Sequence, residues 1–386
     1  MHAQLVWFVS SCYWTPDDRD IVLDMTEHVR RLVTNKVWTR GFSYALARTP
    51  RFLDGATVVS ARATIKANPP SDKPHHVPLG EVRKIVAAHC GCEPHDNDAL
   101  KVGGMDRSRN VTVIDVTLDL EVPLVPWSDG SARCAPVDSP RIQVDMIGLA
   151  EEVGGLLRAA IHLTFSGYAG VSEQAPRHQQ GGSLMFLKCP GQSEFWPRLV
   201  TDFTYHAYFK AQQMEDFRNR LDALADVWHL PLWPMHRYLK AHSGEVVEMD
   251  SLLDFLFALE GLFGRNTSAD FIKLACSLLL SDSRNEALEV QDILRQAFEI
   301  RNSIVHEGQH YTGYEEVNLK GGPEQCRELL GRARTVVSKM IDFALHKLRA
   351  DPKMQTLRIV SQDVIEHVRK SWPARNGQGT PPRLSP

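Results

Sequence analysis

The chain has 386 residues, 43% apolar and 24% charged, with a net charge of -3 and seven cysteines. That length supports two or three domains, each with its own core. The charge balance excludes the strongly basic footprint of a dedicated nucleic-acid binder while leaving local patches open. No run reaches the roughly 18 apolar residues of a membrane span. An odd, scattered set of cysteines fits a reducing compartment better than a disulfide framework. The N-terminus MHAQLVWFVSSCYW lacks a basic leader before a long apolar run, so the protein reads as cytoplasmic, with no membrane partner.

Taken in order, residues 1–204 read as a mixed α/β domain. Gln4 to Val9 is a short strand, and Asp18 to Leu32 sets Ile21, Val22, Met25, Val29 and Leu32 at helical intervals. Thr57 to Ile65 reads as a strand with Val59, Ala61, Ala63 and Ile65 on one side. In Val116 to Val122, Val116, Leu118, Leu120 and Val122 alternate with Thr117, Asp119 and Glu121, giving one buried and one wet face. Arg141 to Ile147 and Ser183 to Leu187 are weaker strand candidates, with a Pro-, Gly- and Gln-rich loop over Ala175 to Gly182 between them.

From about Tyr205 the pattern turns helical. Residues 205–249 read as a helical connector: Phe217, Leu221, Leu224, Val227 and Trp228 form a stripe, and the proline-broken aromatic run Trp228 to Tyr238 follows. Residues 250–350 read as a four-helix bundle over Ser251 to Phe263, Ala269 to Leu280, Glu286 to His306 and Glu324 to Leu348. Asp250 or Ser251 is the N-cap of the first helix, and Gly264, Gly308 and Gly321-Gly322-Pro323 punctuate the rest. Residues 351–386 read as one more helix and a disordered tail. The expected fold class is therefore α+β, a mixed N-terminal domain followed by an all-α bundle.

The chemistry concentrates in AFEIRNSIVHEG, from Ala297 to Gly308. Val290, Ile293, Leu294, Ala297, Phe298, Ile300 and Ile304 recur at helical spacing, which places the Arg301 guanidinium on or beside an apolar seam. His306 follows in the last turn, before a glycine suited to a left-handed cap. Either a carboxylate satisfies this pair or it faces something anionic.

Three segments, FALEGLFG (Phe257 to Gly264), KLACSLLL (Lys273 to Leu280) and EIRNSIVHEG (Glu299 to Gly308), together resemble the HEPN domain in its Apea-like form, whose third helix ends in an RxxxxH motif. The resemblance covers roughly Asp250 to Arg349, with Arg301 as the arginine, Asn302 as its polar follower and His306 as the histidine. It implies a metal-independent endoribonuclease without cofactor, working as a homodimer in which two third helices bring both Arg-His pairs to one cleft. It also implies Glu260 as a supporting partner of the arginine. Two positions depart from the pattern. Glu307 stands between His306 and the glycine, and Ser277 lies near a position where relatives often carry arginine.

The residue types suit that chemistry independently. RNA carries its own nucleophile, the 2'-hydroxyl, so cleavage needs proton transfer and charge stabilisation. Histidine exchanges a proton near neutrality, and an arginine fork holds two phosphate oxygens. On an ideal helix Arg301 and His306 lie about 140° apart, whereas Asn302 and His306 are i, i+4 neighbours. A two-fold interface brings the arginine of one protomer to the histidine of the other. The competing reading makes Arg301 a structural arginine paired with Glu260 or Glu299, and His306 a helix-end residue favoured by the macrodipole. Asn302 orients His306 or a phosphate, or makes a simple helix-end hydrogen bond.

A second cluster, His75, His76, His89, Cys90, Cys92 and His95, has zinc-ligand chemistry but poor spacing and no second knuckle, so no metal is assigned. Residues 1–200 hold no Walker lysine loop, GxGxxG, HExxH or GxSxG motif. Three functions follow as expectations. The first is an RNA-cleaving effector of bacterial stress or phage defence, gated by a trigger at the N-terminal domain. The second is a catalytically inactive HEPN module serving as a dimerisation or RNA-binding scaffold. The third is an N-terminal enzyme carrying the bundle as an appendage.

Overall fold

The computed structural model describes residues 2–9, 13–14, 20–39, 53–65, 112–122, 125–126, 132–133, 140–166, 180–188, 198–203, 207–208, 211–242, 248–264, 267–307, 322–351 and 353–371. The His75 to His95 cluster lies outside them, as do Gly308 and the tail from Pro373. The chain divides into two compact units. One takes in Met1–Phe165, Val171–His229 and His242–Glu245; the other takes in Ser166–Gly170, Leu230–Ala241 and Val246–Pro386. The stretch read as a connector is thus shared between them.

The first unit is built on strands. They are β1 (His2–Val9), β2 (Tyr13–Trp14), β3 (Ile21–Asp24), β4 (Thr57–Ile65), β5 (Thr112–Glu121), β6 (Val125–Pro126), β7 (Ala132–Arg133), β8 (Gln180–Lys188), β9 (Arg198–Phe203) and β10 (Ala207–Tyr208). Six of them form one antiparallel sheet in the order β3-β4-β5-β1-β8-β9. Helices α1 (Thr26–Thr34), α2 (Pro140–Ser166) and α3 (Ala211–Val227) belong to the same unit. Val116, Leu118 and Leu120 are buried, Thr117 and Asp119 between them are half-buried and Glu121 is exposed, so β5 alternates as expected while its second face is only partly wet, and Val122 lies past the strand end.

Three expectations fail here. Asp18 to Leu32 is not one helix. Ile21 and Leu23 are buried and Val22 exposed, a two-residue period, and Ile21 pairs with Ile65 before α1 begins. Val59 faces solvent, 53% exposed, because a register shift between Val58 and Ser60 turns it out and puts Val58 in the core. Arg141 to Ile147 is no strand but the opening of the 27-residue α2. That helix buries Met146, Leu149, Val153, Leu156, Ala160 and Leu163, and its Gly155 lets the Trp228 indole close in, since a Cβ there would sit 3.3 Å from the ring.

The second unit is helical: α4 (Trp233–Ala241), α5 (Glu248–Phe263), α6 (Ala269–Leu280), α7 (Arg284–Glu307), α8 (Gly322–Ala350) and α9 (Ser361–Ser371). Helices α5 to α8 all pack on one another, burying Leu256, Leu259, Cys276, Leu294, Ala297, Val337, Met340 and Ile341. Helix α4 lies on α5, and α9 on α8's neighbour α6. Helix α5 starts at Glu248, so Asp250 and Ser251 lie inside it and neither is its N-cap. Its other end is at Gly264, with φ +83° and an amide donating to the Glu260 carbonyl at 3.0 Å. The expected proline-broken run is a helix from Trp233 onwards, with the His236 amide donating to Leu232 O at 3.0 Å. Proline is tolerated at position 234 because the first turn has no intrahelical acceptor for its nitrogen.

Candidate active site

Helix α7 positions the RxxxxH residues, and its start is set by a capping box. Glu286 accepts from the amides of Asp282 and Ser283 at 2.7 and 3.0 Å, and its own amide donates to Ser283 Oγ at 3.3 Å. The first turns are exposed and charged. Asp292, Arg295 and Glu299 form an i, i+3, i+4 network in which Arg295 donates to both carboxylates, at 2.7 and 2.8 Å. Hydrogen bonding from Arg295 holds the Asp292 carboxyl below its ordinary range. From Ile293 onwards Leu294, Ala297, Phe298 and Ile300 turn into the core.

Arg301 stands where that buried stripe ends. Its side chain is 19% exposed, and Nη2 lies 3.4 Å from Glu260 Oε1 on α5. Nη1 donates to Asn302 Oδ1 at 3.1 Å. The Asn302 side chain therefore turns towards the arginine. Glu299 is engaged by Arg295, which leaves Glu260 as the observed carboxylate of the two weighed for Arg301. His306 occupies the last turn of α7, five residues on; its side chain lies outside the described residues. Ser277 is buried on α6, and its hydroxyl donates to the Leu274 carbonyl at 2.7 Å. The neighbouring Cys276 thiol is fully buried, which pushes its pKa far up and leaves it inert as a thiolate.

This arrangement can hold an anion. The Arg301 guanidinium is a fork that suits phosphate oxygens, and here it faces the Glu260 carboxylate at 3.4 Å. Among the described residues no group of three His, Cys, Asp or Glu side chains is placed to hold a metal ion, and no helix is long and apolar enough to cross a membrane. Glu260 is followed on α5 by Gly261, and the Trp233 indole of α4 lies directly over that glycine. Sequence reasoning missed Trp233 and its neighbours because the prolines masked a helical spacing that Trp233, Arg237 and Lys240 in fact follow.

No family model, no curated protein and no solved structure matches the chain. The fold and the site together define an α+β chain with an antiparallel sheet in one unit and a packed set of helices carrying an Arg-Asn-Glu cluster in the other.

Proposed function

We propose that the protein is a metal-independent endoribonuclease of the HEPN type, a cytoplasmic effector of bacterial stress or anti-phage defence whose N-terminal unit receives the trigger. The observation that carries this reading is Arg301, a guanidinium at the edge of the helical core, contacted by Glu260 and Asn302 and followed five residues later by His306. In the proposed reaction the 2'-hydroxyl of RNA attacks the adjacent phosphorus, its proton passing to a base. The P–O5' bond breaks, and the leaving oxygen takes a proton from an acid. His306 exchanges one of these protons, and Arg301 holds the phosphoryl oxygens as charge grows on them. The products are a 2',3'-cyclic phosphate and a 5'-hydroxyl.

The test is cleavage of tRNA and unstructured RNA by the full chain in the presence of EDTA, with end-group analysis. Arg301→Ala should lower the rate about 100- to 1000-fold, the usual loss for a transition-state donor. His306→Ala should lower it about 100- to 10,000-fold. Cleavage that survives unchanged in both variants removes the mechanism. A second reading, an inactive dimerising or RNA-binding scaffold, is favoured by the burial of Ser277 with its hydroxyl already satisfied and by the carboxylate facing Arg301. RNA binding without any cleavage by the wild-type chain selects it.

A further inference from the structure

Helix α4 carries an aromatic and basic stripe. Trp233, Arg237 and Lys240 fall at i, i+4 and i+7, with His236 exposed between them, so they share one face. Trp233 is 49% exposed, unusual for an indole that is nonetheless held in place. It is held from two sides. The Gly261 backbone lies under one ring edge, so close that a Cβ would approach Cε3 to 2.6 Å, and the Arg237 guanidinium sits 5.4 Å from the ring centre. Arg237 also lies 5.6 Å from the Phe257 ring.

The cations are fixed as well. Arg237 Nη1 donates to Asp254 Oδ1 at 2.8 Å, and Lys240 Nζ lies 3.3 Å from Oδ2 of the same carboxylate. The Asp254 side chain is 5% exposed and that of Lys240 57%. One buried carboxylate therefore orients two partly exposed cations, leaving these three groups net positive beside a half-exposed aromatic ring.

We propose that this face binds single-stranded RNA, one base stacking on Trp233 and the adjoining phosphates lying along Arg237 and Lys240. The proposal rests on the ribonuclease reading and gives that site a docking platform for its substrate. A pinned, half-open indole suits a base because every base offers a π face, and a guanidinium on the ring strengthens the stack. A duplex keeps its bases stacked internally, so the face selects single strands. Trp233 and Arg301 are also anchored on consecutive residues of α5, Gly261 and Glu260. An indole serving only as packing would affect stability when removed, and would leave oligonucleotide affinity alone.

The experiment measures fluorescence anisotropy of a labelled 2'-O-methyl oligouridine, which lacks the nucleophile and cannot be cleaved, titrated with the full chain. Trp233→Leu and Trp233→Phe keep the apolar bulk, and only Phe keeps a π face. Leu should weaken binding about tenfold or more, and Phe by less than about threefold. Lys240→Gln, which leaves Asp254 paired with Arg237, should reduce the slope of log affinity against log salt by about one charge. Equal affinity of wild type and Trp233→Leu overturns the proposal. So does a wild-type chain that binds no oligonucleotide, including one in which this face drives self-association instead. Loss of affinity in Trp233→Leu, in a protein whose RNA cleavage is indifferent to Arg301 and His306, keeps the platform and discards the nuclease assignment.

Discussion

At the scale of single residues, Gly261 shows how two effects of similar size can be separated. Alanine is favoured over glycine inside a helix by about 1 kcal/mol. Here its Cβ would meet Trp233 Cε3 at 2.6 Å and Pro234 Cγ at 3.2 Å, and overpacking of that kind costs about 1–3 kcal/mol. Gly261→Ala should therefore destabilise the wild-type chain. In a Trp233→Ala background the ring contacts are gone and only the 3.2 Å approach to Pro234 Cγ remains, so the same change should cost less; urea unfolding of the four proteins of this double-mutant cycle reads that coupling. Tyr238 offers a simpler case. Ser338 Oγ donates to the Arg334 carbonyl at 2.8 Å, so the Tyr238 hydroxyl is the donor in its 2.7 Å bond to Ser338. Tyr238→Phe removes the bond to Ser338 and should lower stability by about 1 kcal/mol in the same measurement. Arg301 was legible in the sequence because a guanidinium interrupting an apolar seam demands a partner. The turn of the Asn302 carbonyl towards Arg301 was not, since on the sequence His306 was an equal candidate at helical spacing.

At the scale of elements, legibility followed the range of the interactions. Helix α6 was readable from end to end, Ala269–Leu280, because its apolar period and its cap are local: Ser268 Oγ accepts from the Phe271 amide at 3.2 Å. The start of α7 is local too, and the Ser-Arg-Asn-Glu box at Ser283 to Glu286 could have moved it from Glu286 to Arg284. Glu286→Ala removes both bonds to the Asp282 and Ser283 amides, and should cost about 1 kcal/mol. Strand β3 and the opening of α2 were misread because a few apolar residues fit both periods, and the partner that decides between them lies far away in sequence, Ile65 for Ile21. The Asp292 network adds a pH dependence with a defined sign. Its folded pKa lies below the ordinary 3.8, chiefly through hydrogen bonding from Arg295. The contribution is therefore complete above the unfolded value and is lost as pH falls through the folded one. Asp292→Asn should flatten the acid limb of the stability curve below about pH 4 and leave its shape near neutrality unchanged, as followed by thermal unfolding across pH.

At the scale of the molecule, helices α5 to α8 of the second unit could be read from punctuation and period, while α4 and the order of the first unit's sheet could not. Strand β1 sits between β5 and β8, both far downstream in the chain, and nothing local in His2–Val9 specifies them. The proposed active site has the same character, because Arg301 and His306 are about 140° apart on one ideal helix and the proposal has them converge where two copies meet. That shared cleft makes a strong demand. Arg301→Ala and His306→Ala should each lose about 100-fold or more alone, whereas a mixed dimer of the two should hold one cleft half with both wild-type groups, the arginine from one copy and the histidine from the other. Random reassortment of equal amounts makes half the dimers mixed, with one intact site of two in each. Cleavage should then recover to about a quarter of the wild-type rate per protomer. Sites assembled within single protomers predict no recovery, so the mixing experiment decides which helices supply the two groups.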